Sequence, residues 1–303
     1  MSSLEKFVSQ QPLIVHSSLS QLRYLVLSEG IPLSKEKPAA NRLRCNVWSV
    51  LTRCSMDGAT SDYVSLVRRG PPPHSIYSKI KNDTFRTLNT DPQFVACVSE
   101  DAITRCLSCF AWSVLDDSSG DCELSTYVQG MNVLLAPILY TCPSEPMAYQ
   151  LFRSLCHDHI KTYLNQSLTG VHNGAKLLDM CLKVIDPKLS KFLADNLLTA
   201  EIYGIPSILT LSSCTKPLDQ VCKLWDFMFA YGFHMNILFI VAQLVVIRSR
   251  ILKSNSPMNL LRVFPEFDAE EIIRLGVGFV AKLPSHMYDL LVQHLEDSNL
   301  TVE

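Results

Sequence analysis

Apolar residues recur every three or four positions along most of the chain. Leu43, Val47, Val50 and Leu51 fall at i, i+4, i+7 and i+8. Ile103, Leu107, Phe110 and Val114 repeat that spacing, as do Ala175, Leu178, Leu182 and Ile185, and again Leu218, Val221, Trp225 and Phe229. Each stripe predicts a helix with one buried face. The punctuation agrees. Ser18 and Gln21 have capping-box spacing, Ser99 precedes Glu100 and Asp101, and Asp268 precedes Glu271, so each marks a helix start. Pro146 suits a first helical turn. Gly70 followed by three prolines is a rigid loop, and residues 116–121 form a polar one. Pro137 predicts a kink or break inside the apolar segment 131–140. Residues 236–252 predict one long helix, and the best strand candidate is the short run 205–211 after Gly204. No alternating run and no repeat of 20–50 residues appears in the sequence. The fold class is therefore all-α, with roughly a dozen or more helices. No linker divides it, so residues 1–303 are expected to form a single domain.

Composition narrows the class. A hydrophobic content of 48% against 18% charged residues is enough for a buried core and excludes intrinsic disorder. A net charge of −2 gives no global field for nucleic acid or anionic lipid. The most apolar run, residues 237–247, falls short of the ~20 residues a membrane span requires and predicts a core helix instead. Eleven cysteines in a chain of 303 residues, with no charged-then-apolar leader, lead us to expect a reduced, intracellular setting.

Several chemistries can be set aside. Cys106 and Cys109 have CxxC spacing but no second ligand pair, so packing is their expected role. His157 and His159 would face different sides of a helix, which predicts a solvated polar turn rather than a metal site. No phosphate-binding glycine loop or nucleophile elbow is present, so the chain is expected to carry no nucleotide or cofactor of its own. Two stretches remain. In residues 80–87, Asp83 and Arg86 stand three apart at a helix end, where they can pair. In residues 127–132, Gln129 precedes an apolar helix. Hydrolysis of GTP needs positive charge at the γ-phosphate and a positioned water. An arginine supplies the first. An amide supplies the second, because it accepts from water while donating to phosphate. On spacing alone, a surface arginine and a helix-capping glutamine are the commoner occupants of such positions.

The motifs add more. Ile80, Asp83, Arg86 and Thr87, followed by Tyr127, Gln129, Gly130, Met131 and Asn132, resemble the two signature motifs of the TBC-domain GTPase-activating proteins. Arg44 with Trp48 resembles that family's first motif, and Leu224, Trp225, Asp226 and Gly232 a later one. The four stand in the family's order and span residues 44–232. The resemblance implies an all-helical fold of two lobes and a mechanism with two fingers supplied in trans. Arg86 would be the arginine finger and Gln129 the glutamine finger. Asp83 would hold Arg86, Tyr127 would brace the glutamine loop, and Arg44 and Trp48 would be structural. GTP and Mg would be held by the partner GTPase. Thr126 and Val128 depart from the residues frequent at their positions in the family. Further likeness in residues 15–25, 142–150 and 224–234 is to the family's fungal spindle-position checkpoint branch. It implies a Ras-like small GTPase of the mitotic-exit network as target and a scaffold subunit as partner. It also implies a cytoplasmic site of action at the spindle pole body. The alternative is a non-catalytic TBC module that only binds these partners.

Overall fold

The computed structural model describes Leu4 and residues 15–32, 37–117 and 124–302. It is all-α, with 18 helices and no strand among the described residues. The chain gathers into two compact units.

The first unit takes residues 1–159 together with residues 225–231. Its helices are α1 (Val15–Glu29), α2 (Lys37–Leu51), α3 (Ala59–Val67), α4 (His74–Thr84), α5 (Pro92–Cys97), α6 (Glu100–Asp116), α7 (Met131–Thr141) and α8 (Glu145–Ser154). Helix α6 is central and packs against α3, α4, α7 and α8. It starts where Ser99 Oγ accepts from the Ala102 amide at 3.1 Å, and Ile103, Leu107, Phe110 and Val114 form its buried face as expected. Cys106 and Cys109 lie on that face too. Burial pushes the Cys109 thiol up to about 12 and raises Cys106 as well, so both pack as neutral thiols.

Two expectations fail here, and a third is narrowed. Helix α1 begins at Val15, so Ser18 lies inside it rather than capping it. Pro137 does not break α7, which runs from Met131 to Thr141. A proline removes one intrahelical hydrogen bond, but Leu134, Leu135 and Ile138 are fully buried around it, and that packing holds the helix. The segment Leu155–His159 is a π-helical turn, and His157 is half-buried edge-on to Phe110, not solvated. Of the polar loop expected at 116–121, residues 118–121 lie outside the described residues.

The second unit takes residues 160–224 and 232–303. It holds α9 (Thr169–Ile185), α10 (Pro187–Asp195), α11 (Ala200–Tyr203), α12 (Ile205–Leu209), α14 (Met235–Val246), α15 (Arg248–Lys253), α16 (Pro257–Arg262), α17 (Ala269–Val280) and α18 (Ser285–Gln293). The intervening α13 (Leu218–Tyr231) contributes residues to both units. Helix α14 is buried nearly all round and packs on α9 and α17. Gly276 permits the α17 contact, because a Cβ there would stand 2.6 Å from the Phe239 ring. The predicted strand at 205–211 is a helix, α12, with Pro206 in its first turn and left-handed Leu211 and Ser212 after it. A short apolar run has no period long enough to separate strand from buried helix. The long helix expected over 236–252 starts at Met235 and divides at Ile247 into α14 and α15.

Candidate active site

The site is built in the first unit from the end of α4 and the start of α7. Helix α4 ends at Thr84, and the chain turns through Phe85, Arg86 and Thr87 before Asp91 caps α5 through the Gln93 and Phe94 amides, both at 3.0 Å. The second loop reaches α7 through Gly130, whose φ of 110° is the region that favours glycine. The Gly130 carbonyl then accepts from the Val133 and Leu134 amides at 3.0 and 2.9 Å, which starts α7.

Asp83 joins the two loops. It is buried, at 6% exposure. A buried carboxylate needs donors, and this one has two from different loops. Tyr127 Oη donates to Asp83 Oδ2 at 2.6 Å, and Arg86 Nη2 donates to Asp83 Oδ1. Burial, then the hydrogen bond and charge of Asp83, raise the Tyr127 phenol far above its usual value, so it stays a donor. Asn132, in the first turn of α7, ties the backbone as well. Its Nδ2 donates to Thr87 Oγ1 at 2.8 Å and to the Asp83 carbonyl at 3.3 Å. Thr87 Oγ1 in turn donates to the Asp83 carbonyl at 3.1 Å.

The outcome is a buried polar frame carrying two exposed side chains. Arg86 keeps about half of its side chain in solvent (52%) despite its tie to Asp83. Gln129 is exposed at the turn before α7. Phe85, 60% exposed, stands beside Arg86. Among the described residues, no group of His, Cys, Asp or Glu side chains could hold a metal ion.

Arg44 and Trp48 lie apart from the finger loops, on α2. Arg44 Nε donates to Asp226 Oδ1 at 2.9 Å, its Nη2 donates to Oδ2 at 3.1 Å, and Trp48 Nε1 donates to Oδ1 at 2.8 Å. All three residues are buried, and Trp48 stacks on Phe229 with ring centroids 4.7 Å apart. Residues from the first and last motifs therefore meet at one carboxylate.

The sequence assigns no role to Asn132 or Thr87, and gives Asp226 only a general holding role with no partner. Asn132 and Asp226 each carried a signal. Asn132 is a polar residue in the first turn of an otherwise apolar helix, and Asp226 is an acid between Trp225 and Phe227. A buried polar residue implies a partner.

These motifs, in this order and on an all-helical frame, have a counterpart among known proteins: the Rab-GTPase-TBC domain matches residues 41–252, more than half of the chain. The chain belongs to the Rab-GTPase-TBC domain family. Similarity extends past the domain itself. The mitotic check point protein BUB2 of Saccharomyces cerevisiae is 65% identical to this TBC chain, over all of both chains. Cell division control protein 16 of Schizosaccharomyces pombe is 40% identical, over 99% of this chain and 95% of its own. Among solved structures, the Ypt/Rab-GAP domain of Gyp1p matches with a TM-score of 0.69 at 16% identity, covering 92% of this chain and 98% of that one. A Chlamydomonas flagellar RabGAP TBC domain matches with a TM-score of 0.61 at 21% identity, over 97% and 88%. At those identities the structural likeness shows the TBC fold alone. No helix among the described residues is long and apolar enough to cross a membrane.

Proposed function

We propose that this TBC protein is a GTPase-activating protein for a Ras-like small GTPase of the mitotic-exit network. It acts through Arg86 and Gln129 supplied in trans. The observation that carries the reading is the Asp83–Tyr127–Asn132–Thr87 frame, which fixes both loop bases while leaving both finger side chains exposed. A finger needs that combination. Its root must not move, and its tip must be free to enter another protein's site. On docking, Arg86 exchanges part of its tie to Asp83 for the γ-phosphate oxygens, where charge spreads in the transition state. Such an arginine supplies roughly 10³–10⁵ in rate, or ~4–7 kcal/mol. Gln129 accepts from the attacking water and donates to phosphate, in place of the GTPase's own glutamine. GTP and Mg belong to the partner GTPase. Phe85 offers an apolar contact next to the finger.

The cellular setting of the proposal rests on the full-length relatives, whose names place one at the mitotic checkpoint and the other in cell-division control. In this reading the chain works in the cytoplasm at the spindle pole body with a scaffold subunit, holding back mitotic exit. The test is single-turnover GTP hydrolysis by a target GTPase whose own catalytic glutamine has been replaced. Stimulation should persist with the wild-type chain and collapse with Gln129→Ala. A mutant GTPase that no longer responds to the wild-type chain would remove the glutamine finger from the mechanism.

A further inference from the structure

The first unit holds a second polar site that the finger chemistry does not use. A cavity of about 230 Å³ opens where α2 ends and α8 passes into the π-helical turn. Arg53 and Arg153 line it, with Ser55, Ser154, His157 and Asp158. Among the described residues neither guanidinium has a hydrogen-bond or ion-pair partner. His157 Nε2 is shielded from solvent and has no partner either. The one carboxylate, Asp158, is already engaged by Ser154 Oγ at 2.8 Å. The formal charge of the lining is thus one positive, and two positive with His157 protonated.

The backbone gives a second sign. Helix α2 closes with Cys54 N donating to Ser49 O at 2.9 Å and Arg53 N donating to Val50 O at 3.1 Å. That is the Schellman arrangement, and its left-handed position is normally glycine. Here the position holds Arg53, at φ 56°. An L residue is disfavoured there, and Leu88, Leu168, Leu197, Leu211 and Ser212 share that conformation, so the strain marks Arg53 only together with the cavity it lines. Cations near helix C-termini complement the backbone dipole. That benefit needs neither the left-handed arginine nor an unpaired imidazole nitrogen beside it.

We propose that this cavity is a binding site for a phosphate-type oxyanion, received by the Arg53 and Arg153 guanidiniums beside the His157 ring. Two forked cations suit a tetrahedral dianion. Free phosphate and a phosphorylated serine or threonine side chain share that chemistry. Burial, and then the Arg153 charge, hold the imidazole below its usual pKa against the opposing charges of Asp158 and Asp117. A bound dianion offsets the Arg153 charge and favours the imidazolium, so binding takes up a proton at His157 and strengthens as pH falls toward the value in the complex.

The experiment titrates the full chain with inorganic phosphate, against chloride at equal ionic strength, while the His157 ring resonances are followed by NMR across pH. Phosphate should raise the His157 pKa by about one unit or more. Arg153→Gln should weaken binding about tenfold. Arg53→Gly should do the same while leaving thermal stability without phosphate equal or higher, because glycine suits the left-handed turn. O-phosphoserine binding tighter than inorganic phosphate supports the site and identifies a phosphorylated side chain as its ligand. Equal affinities support it with free phosphate as the ligand. The proposal is overturned if the His157 response survives unchanged in the Arg53→Gly, Arg153→Gln double variant. It is also overturned if no phosphate-specific response appears by about 20 mM.

Discussion

Asp83 holds both finger loops through one buried carboxylate. Removing a donor should therefore hurt twice. Tyr127→Phe leaves Asp83 Oδ2 without its 2.6 Å partner. We expect a loss of about 1–3 kcal/mol in unfolding free energy, measured by urea titration, together with a lower stimulated kcat. For Arg86 the balance differs. Its side chain is about half in solvent, but it is the second donor to buried Asp83, so its removal also costs some stability while its main loss falls on the stimulated rate. The chemistry of Arg86 and Gln129 was legible from residue type, and their identity as a pair from the motif order. What holds them was legible only in part. Tyr127 and Asp83 were expected in supporting roles, but nothing in the sequence shows that their side chains meet. The part played by Asn132 depends on where α7 starts, and helix boundaries are set by tertiary contacts more than by local pattern.

At the level of elements, α2 and α13 are joined by Asp226, which takes donors from Arg44 and Trp48. Asp226→Asn replaces one accepting oxygen with a donor facing a buried guanidinium. Breaking a buried pair from one side destabilises by roughly 3–5 kcal/mol. We expect a fall of that order in chemical denaturation followed by tryptophan fluorescence, since Trp48 and Trp225 report on this contact with centroids 5.8 Å apart. Helices with a full period of buried residues, such as α6 and α9, were legible in the sequence. The break at Pro137 and the strand at 205–211 were judged on local propensity, and both lie where burial overrides it. Leu134 and Ile208 are fully buried. Two lobes were implied by the family resemblance alone; where the chain passes between its two compact units was not legible, because α13 supplies residues to both and no composition break marks the change.

At the scale of the whole molecule, two buried histidines of the second unit make stability depend on pH. Burial pushes His234 and His294 down to about 4. His294 Nε2 lies 2.9 Å from Tyr163 Oη, and His234 Nε2 lies 3.0 Å from Tyr288 Oη. The folded state thus holds both neutral where the unfolded chain, at about 6.5, takes up protons. Stability from this source is complete above pH 6.5 and is lost as pH falls toward 4. By pH 5 the loss is about 2 kcal/mol for each histidine. Urea midpoints at pH 7.5, 6 and 5 should decline accordingly, and His294→Gln should flatten the slope. A midpoint constant over that range would contradict the assignment. The proposed activity itself turns on Arg86, and stimulated GTP hydrolysis by a purified small GTPase tests it most directly. Arg86→Ala should lower the stimulated rate about 10³-fold or more in a protein that still unfolds cooperatively in urea. An unchanged hydrolysis rate in that variant would contradict the arginine finger and leave the domain a docking module.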